Sequence, residues 1–161
     1  MPKSTTRATT LESRSRARNE PPLIGALLRA RWQDVRARIL SDLESAGFRD
    51  ISAAHLAVFQ HPTPRGIRLA ALAQRAGLSR QAMGYLVGEL ERRGYLERRP
   101  DPEDGRASLI HLTDRGEQAI RAIRGAVKRV ERDWQRALGA ARFAELRKTL
   151  VELSALGEPD R

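Results

Sequence analysis

The sequence predicts a mostly α fold in which a helix-turn-helix is followed by a small two- or three-stranded antiparallel wing, with longer helices before and after. Three observations carry that expectation. Two apolar stripes of helical spacing, Leu69, Leu72, Ala73 and Ala76, then Met83, Leu86, Val87 and Leu90, are separated by Gly77 and Ser79. The run PDPEDG, Pro100 to Gly105, lies between two strand-like segments. Outside both, apolar residues recur every three or four positions over stretches longer than a compact head needs.

Composition narrows the function classes. The 161 residues include no cysteine, which excludes disulfides, thiolate metal sites and thiol redox switching. Lys and Arg number 30 against 20 Asp and Glu, and the net charge of +10 favours a polyanionic partner. The excess is +3 over residues 1–20, +1 over 21–64, +3 over 65–106 and +3 over 107–161, so charge supports nucleic acid without locating a site. No apolar run is long enough to span a bilayer, and the N-terminus has no apolar signal core. The expectation is a cytoplasmic protein with no membrane partner.

In chain order, residues 1–20 hold almost nothing to bury and are expected to be a disordered basic tail, whose Lys3, Arg7, Arg14, Arg16 and Arg18 could track phosphates. From Leu23, the residues Ala26, Leu27, Ala30, Val35, Ile39, Leu40 and Leu43 mark a long helix ending near Gly47, with Trp32 on it. Ser52 is expected to N-cap a short helix running through Gln60. His55 and His61 lie close in sequence, but no third ligand of matching spacing accompanies them, so neither a metal nor a cofactor is expected. Pro62, Pro64 and Gly66 form a loop.

At the helix-turn-helix, Gly77 suits the left-handed conformation after a helix end, because it lacks the Cβ that makes that conformation costly. Ser79 is placed to cap the next helix, Arg80 to Arg93. Core demands on Met83, Leu86, Val87 and Leu90 leave Arg80, Gln81, Ala82, Gly84 and Tyr85 facing outward near the N-terminal end, where a recognition helix meets a major groove. Arg pairs with guanine edges, Gln with adenine and Ala with a thymine methyl, while Tyr reaches phosphate or sugar. Gly84 admits two readings, close approach of DNA or close helix packing, whereas packing is expected at Gly88.

Gly94 ends that helix, Tyr95 to Arg99 and Ser108 to Leu112 read as strands, and the ribbon they form is a wing. Arg106 at the turn suits a minor groove, and Asp104 is expected to orient its guanidinium. Asp101, Glu103 and Asp104 otherwise read as turn formers. Arg98, Arg99 and Ser79 are candidates for phosphate contacts. Thr113 caps a helix that Glu117 to Leu138 continue, Gly139 breaks it, and Phe143, Leu146, Leu150, Leu153 and Leu156 mark a last helix. The resulting organisation is a tail (1–20) and one domain (21–161), with a reading head at 50–112 and helical dimerisation regions at 21–49 and 113–157. No grouping of His, Ser or acidic residues supports a catalytic site.

The segment LAQRAGLSRQAMGYLVGELERRGYLERRPDPEDGRA, Leu72 to Ala107, resembles the reading head of the MarR (multiple antibiotic resistance regulator) family of bacterial winged-helix transcription factors. Asp104, Arg106, Leu112 and Thr113 reproduce its D-x-R-x5-L-T pattern, extended by Gly116. The likeness runs from about Leu23 to Leu156. It implies a homodimer joined through N- and C-terminal helices, bound to double-stranded DNA as a repressor and released by a small aromatic or phenolic effector. A crevice lined by Trp32, His55 and Phe59 would hold that effector. Gly84 and Tyr85 depart from the small hydroxyl and polar residues many members carry there, so the operator does not transfer. The rival expectation is a basic interaction protein whose winged helix binds protein or RNA.

Overall fold

The computed structural model describes residues 21–61 and 65–156. The expected tail, the prolines of the loop and the last residues lie outside them. The chain divides into two compact units, one ending at Asp34 and the other beginning at Val35. The elements are α1 (Ile24–Ser45), α2 (Leu56–Phe59), β1 (Ile67–Arg68), α3 (Leu69–Arg75), α4 (Arg80–Arg92), β2 (Leu96–Asp101), β3 (Asp104–Leu112), α5 (Asp114–Leu138) and α6 (Ala140–Leu156). Within the first unit, Leu23, Ile24, Leu27, Leu28 and Trp32 are exposed.

The core of the second unit is assembled from one stripe of each surrounding helix: Ile39 and Leu43, Leu72 and Ala73, Met83, Val87 and Leu90, then Ala119, Ile120 and Ala126. Each large aliphatic side chain removed from water there contributes about 1.5–3 kcal/mol. Tyr95, fully buried, stands between Phe48 and Phe59, with ring centroids 6.2 and 6.1 Å away. Gly116 lets the start of α5 close on this region, because a Cβ there would lie 2.1 Å from the carbonyl oxygen of Tyr95. Thr113 fixes the same junction twice, accepting the Gly116 N–H at 3.2 Å and donating to the Gly94 carbonyl at 2.6 Å.

The sheet has the order β1-β3-β2, all antiparallel. Two residues suffice for β1, pairing Ile67 with Ile110 and Arg68 with Leu109, a strand too short to show alternation in the sequence. The wing is longer than its sequence suggests. Its strands run to Asp101 and from Asp104, which leaves Pro102 and Glu103 as the turn, and the ladder is irregular between Pro100 and Asp101.

Two helix expectations need correction. Ser52 does not cap an α-helix: α2 begins only at Leu56, and Ser52 opens a turn in which its carbonyl accepts the His55 N–H at 3.1 Å. Gly88 is not a packing glycine, since a Cβ there would meet nothing within 4 Å. Helix α6 buries none of its residues and leaves Leu146, Leu150, Val151, Leu153 and Leu156 exposed.

Candidate nucleic-acid interface

The orientation of α4 follows from its ends and its core face. Gly77 adopts φ +64°, the Leu78 N–H reaches back to the Ala73 carbonyl at 3.0 Å, and Ser79 Oγ accepts the Ala82 N–H at 3.1 Å. This is the tight turn and cap that the sequence predicts. With Met83, Val87 and Leu90 wholly inside, the opposite face can only point outward. Ser79, Arg80, Gln81, Ala82 and Tyr85 are all exposed, Tyr85 to 65%. The helix N-terminus adds a partial positive charge at the same end. Gly84 is half-buried, and a Cβ there would make only an ordinary 3.6 Å contact with Leu69, so packing does not require glycine.

The other end of α4 is held by a polar knot that sequence reasoning missed. His55 is 1% exposed. Its Nδ1 accepts the Ser52 backbone N–H at 3.0 Å, which assigns the proton to Nε2, and Nε2 donates to Glu89 of α4 at 3.2 Å. Arg93 joins Glu89 at 2.9 Å and donates to the Asp50 carbonyl at 2.6 Å. Tyr95 donates its hydroxyl to Asp50 at 2.5 Å, while Arg115 reaches Asp50 at 3.2 Å and lies over the Tyr95 ring. Burial pushes the His55 imidazole below its ordinary value, against the Glu89 hydrogen bond, and the Arg93 guanidinium lowers it further. Burial raises Asp50, but the Tyr95 hydroxyl and the two guanidinium groups outweigh it and hold the carboxyl low.

On the wing, Arg106 is exposed, as expected. Asp104 does not orient its guanidinium, however. The Asp104 carboxylate accepts the Arg106 backbone N–H at 3.2 Å, a turn-forming bond. Asp101 forms another, accepting the Glu103 N–H at 2.9 Å, and also takes the Arg68 guanidinium at 2.6 Å. The backbone N–H of Glu103, then the Arg68 guanidinium, hold the Asp101 carboxyl low against its burial. Arg98 is paired with Glu91 at 2.9 Å and Arg99 with Glu97 at 2.5 Å, so the charge of both phosphate-contact candidates is already partly offset.

Of the three residues expected to line an effector crevice, two are buried within the second unit. His55 and Phe59 belong to the closed core of the second unit, His55 bonded through both ring nitrogens and Phe59 6% exposed. Trp32 belongs to the other unit and is 44% exposed. Their wide spacing on amphipathic stretches could not reveal that two of the three face inward. Among the described residues no cluster of three or more His, Cys, Asp or Glu could hold a metal, and no helix is long and apolar enough to cross a membrane.

Residues 51–107, which include α2, the helix-turn-helix and most of the wing, match the model of the MarR family. Over that segment the chain is similar to the MarR family. A curated relative, an uncharacterised helix-turn-helix regulator YkoM of Bacillus subtilis, is 29% identical over 92 residues, 57% of this chain and 58% of that protein. The chain spans only 51–58% of the length of the curated relatives it matches. FabT of Streptococcus pneumoniae, solved in complex with DNA, superposes with a TM-score of 0.69 at 20% identity, covering 83% of this chain and 94% of that one, a likeness of fold. PcaV of Streptomyces coelicolor, solved with its natural ligand, gives 0.58 at 25% identity, covering 84% and 94%. The MarR-type winged helix expected from the sequence is therefore present, with a third strand ahead of its first reading-head helix.

Proposed function

We propose that this protein is a MarR-family, sequence-specific DNA-binding regulator of transcription, a homodimeric repressor acting at a pseudo-palindromic operator. One observation carries the reading: Arg80, Gln81, Ala82 and Tyr85 stand outward on a helix whose opposite face is sealed in the core, while Arg106 is exposed on a wing of the same unit. Sequence choice falls to Arg80, Gln81, Ala82 and Tyr85 in the major groove, and Arg106 adds a minor-groove contact. Ser79, Arg98 and Arg99 supply phosphate affinity, which their ion pairs moderate in the two arginines.

Dimerisation is supported by the exposed leucines of α6 and, in the other unit, by Leu23, Ile24, Leu27 and Leu28. Twofold symmetry would then set the reading helices about 34–36 Å apart, one turn of DNA. A small aromatic or phenolic effector would release the operator by binding the two dimer geometries unequally, and the closed packing of His55 and Phe59 argues for a seat elsewhere.

Selection of bound sequences from a random duplex pool, followed by binding across a salt series, tests the proposal. A two-armed site with one-turn spacing, bound far more tightly than scrambled duplex, is the expected result. Salt-labile binding with no enriched sequence would transfer the reading to a basic interaction protein.

A further inference from the structure

Among the described residues two polar side chains are buried, His55 and Asp101. His55 anchors α4. Asp101 stands at the end of β2, beside the wing turn, and is 5% exposed although it is a carboxylate flanking a two-residue turn. An acid at such a turn usually faces water. The ladder irregularity between Pro100 and Asp101 re-aims this residue, as bulges do, and Arg68 meets it there.

The partners lie on the two outer strands of the sheet. Arg68 pairs with Leu109 of β3, and Leu109 pairs on its other side with Arg99 of β2, two residues before Asp101. The Arg68 side chain therefore crosses the central strand. It ends with Nε 2.7 Å and Nη2 2.6 Å from the same Asp101 oxygen, and with Asp104 3.9 Å away. Arg68 is also the N-cap residue of α3, the first helix of the helix-turn-helix. One guanidinium thus joins the start of the reading head to the far end of the wing.

We propose that Arg68 and Asp101 form a bracket that fixes the direction of the wing relative to the helix-turn-helix, so that Arg106 and α4 enter neighbouring grooves together. The inference rests on the DNA-binding reading above. Both are positioning residues, acting through Arg106. A two-stranded ribbon twists and flexes more than a wider sheet, and β1 with its bracket stiffens this one at the side away from the α5 junction.

A simple phosphate contact by Arg68 makes the opposite prediction for one substitution. Asp101→Asn retains an oxygen for the Glu103 N–H, frees Arg68 and makes the protein one charge more positive. If Arg68 merely attracted phosphate, this variant would bind DNA more tightly.

The test uses the full chain on the duplex enriched from the random pool, with equilibrium binding and hydroxyl-radical footprinting of wild type, Asp101→Asn, Arg106→Ala and the double variant. The bracket predicts that Asp101→Asn loses minor-groove protection at the flanks, keeps the major-groove protection under α4, and binds about tenfold more weakly. In that background Arg106→Ala should add less than about twofold, because the contact it removes is already lost. Equal or tighter binding by Asp101→Asn with an unchanged footprint, or independent multiplication of the two losses, overturns the proposal. Should Asp101→Asn be unfolded at the assay temperature, Arg68→Gln on the exposed partner is subjected to the same two criteria. A wild-type protein that enriches no duplex removes the DNA reading and the bracket together; an unaffected variant of a wild type that does bind removes the bracket alone.

Discussion

His55 Nε2 donates a hydrogen bond to Glu89 of α4 at 3.2 Å, while Nδ1 of the same ring accepts the Ser52 backbone N–H at 3.0 Å. Neutral imidazole satisfies both partners. A protonated ring would set its new Nδ1–H against the Ser52 N–H and place a second cation 3.4 Å from Arg93. The C-terminal half of α4 is thus anchored by a ring that works in one protonation state.

Stability should therefore fall in mild acid. The folded-state value of His55 is lowered, so the unfolded chain binds the proton more readily. The stabilisation is fully present above the unfolded value of about 6.5 and is lost as pH falls from there toward the lowered folded value. Thermal midpoints of wild type and His55→Gln between pH 8 and pH 5 should converge as the solution is acidified. Parallel curves would contradict this account.

Removing the ring altogether leaves the Ser52 N–H and Glu89 without their buried partner and opens a cavity. His55→Ala should cost roughly 2–4 kcal/mol in urea unfolding. A loss below about 1 kcal/mol would mean that the knot contributes little.

Three glycines should respond in three different ways. Gly116→Ala drives a Cβ into the Tyr95 carbonyl and should destabilise by about 1–3 kcal/mol or more. Gly88→Ala, with open space around the new methyl, should stabilise α4 by up to about 1 kcal/mol. Gly84→Ala is tolerated by its neighbours, so the fold should survive. Loss of operator affinity in a folded Gly84→Ala protein would assign that glycine to close approach of DNA, and unchanged affinity would assign it no such part.

The two kinds of DNA contact should separate in binding assays. Gln81→Ala should relax preference at one operator position, at a cost of about 1 to 3 kcal/mol. Arg99→Ala should weaken all duplexes alike, and only slightly, because Glu97 already offsets part of its charge. A change of sequence preference in the Arg99 variant would show the roles to be reversed.

The reading head was legible because its signals are local. Gly77 and Ser79 act on N–H and carbonyl groups within a few residues, and the spacing of Met83, Val87 and Leu90 fixes which face of α4 remains outside. The sequence by itself thus determined the turn, both helices, the existence of the wing and the exposed row of Arg80, Gln81, Ala82 and Tyr85. Tertiary structure alone decided the rest. Arg68 meets Asp101 across 33 residues, His55 meets Glu89 across 34, and Tyr95 meets Asp50 across 45. Such pairs leave no period in the chain, since their partners become neighbours only when separate elements pack. For the same reason β1, the inward turn of His55 and Phe59, and the open space beside Gly88 belong to the folded molecule and not to any local pattern.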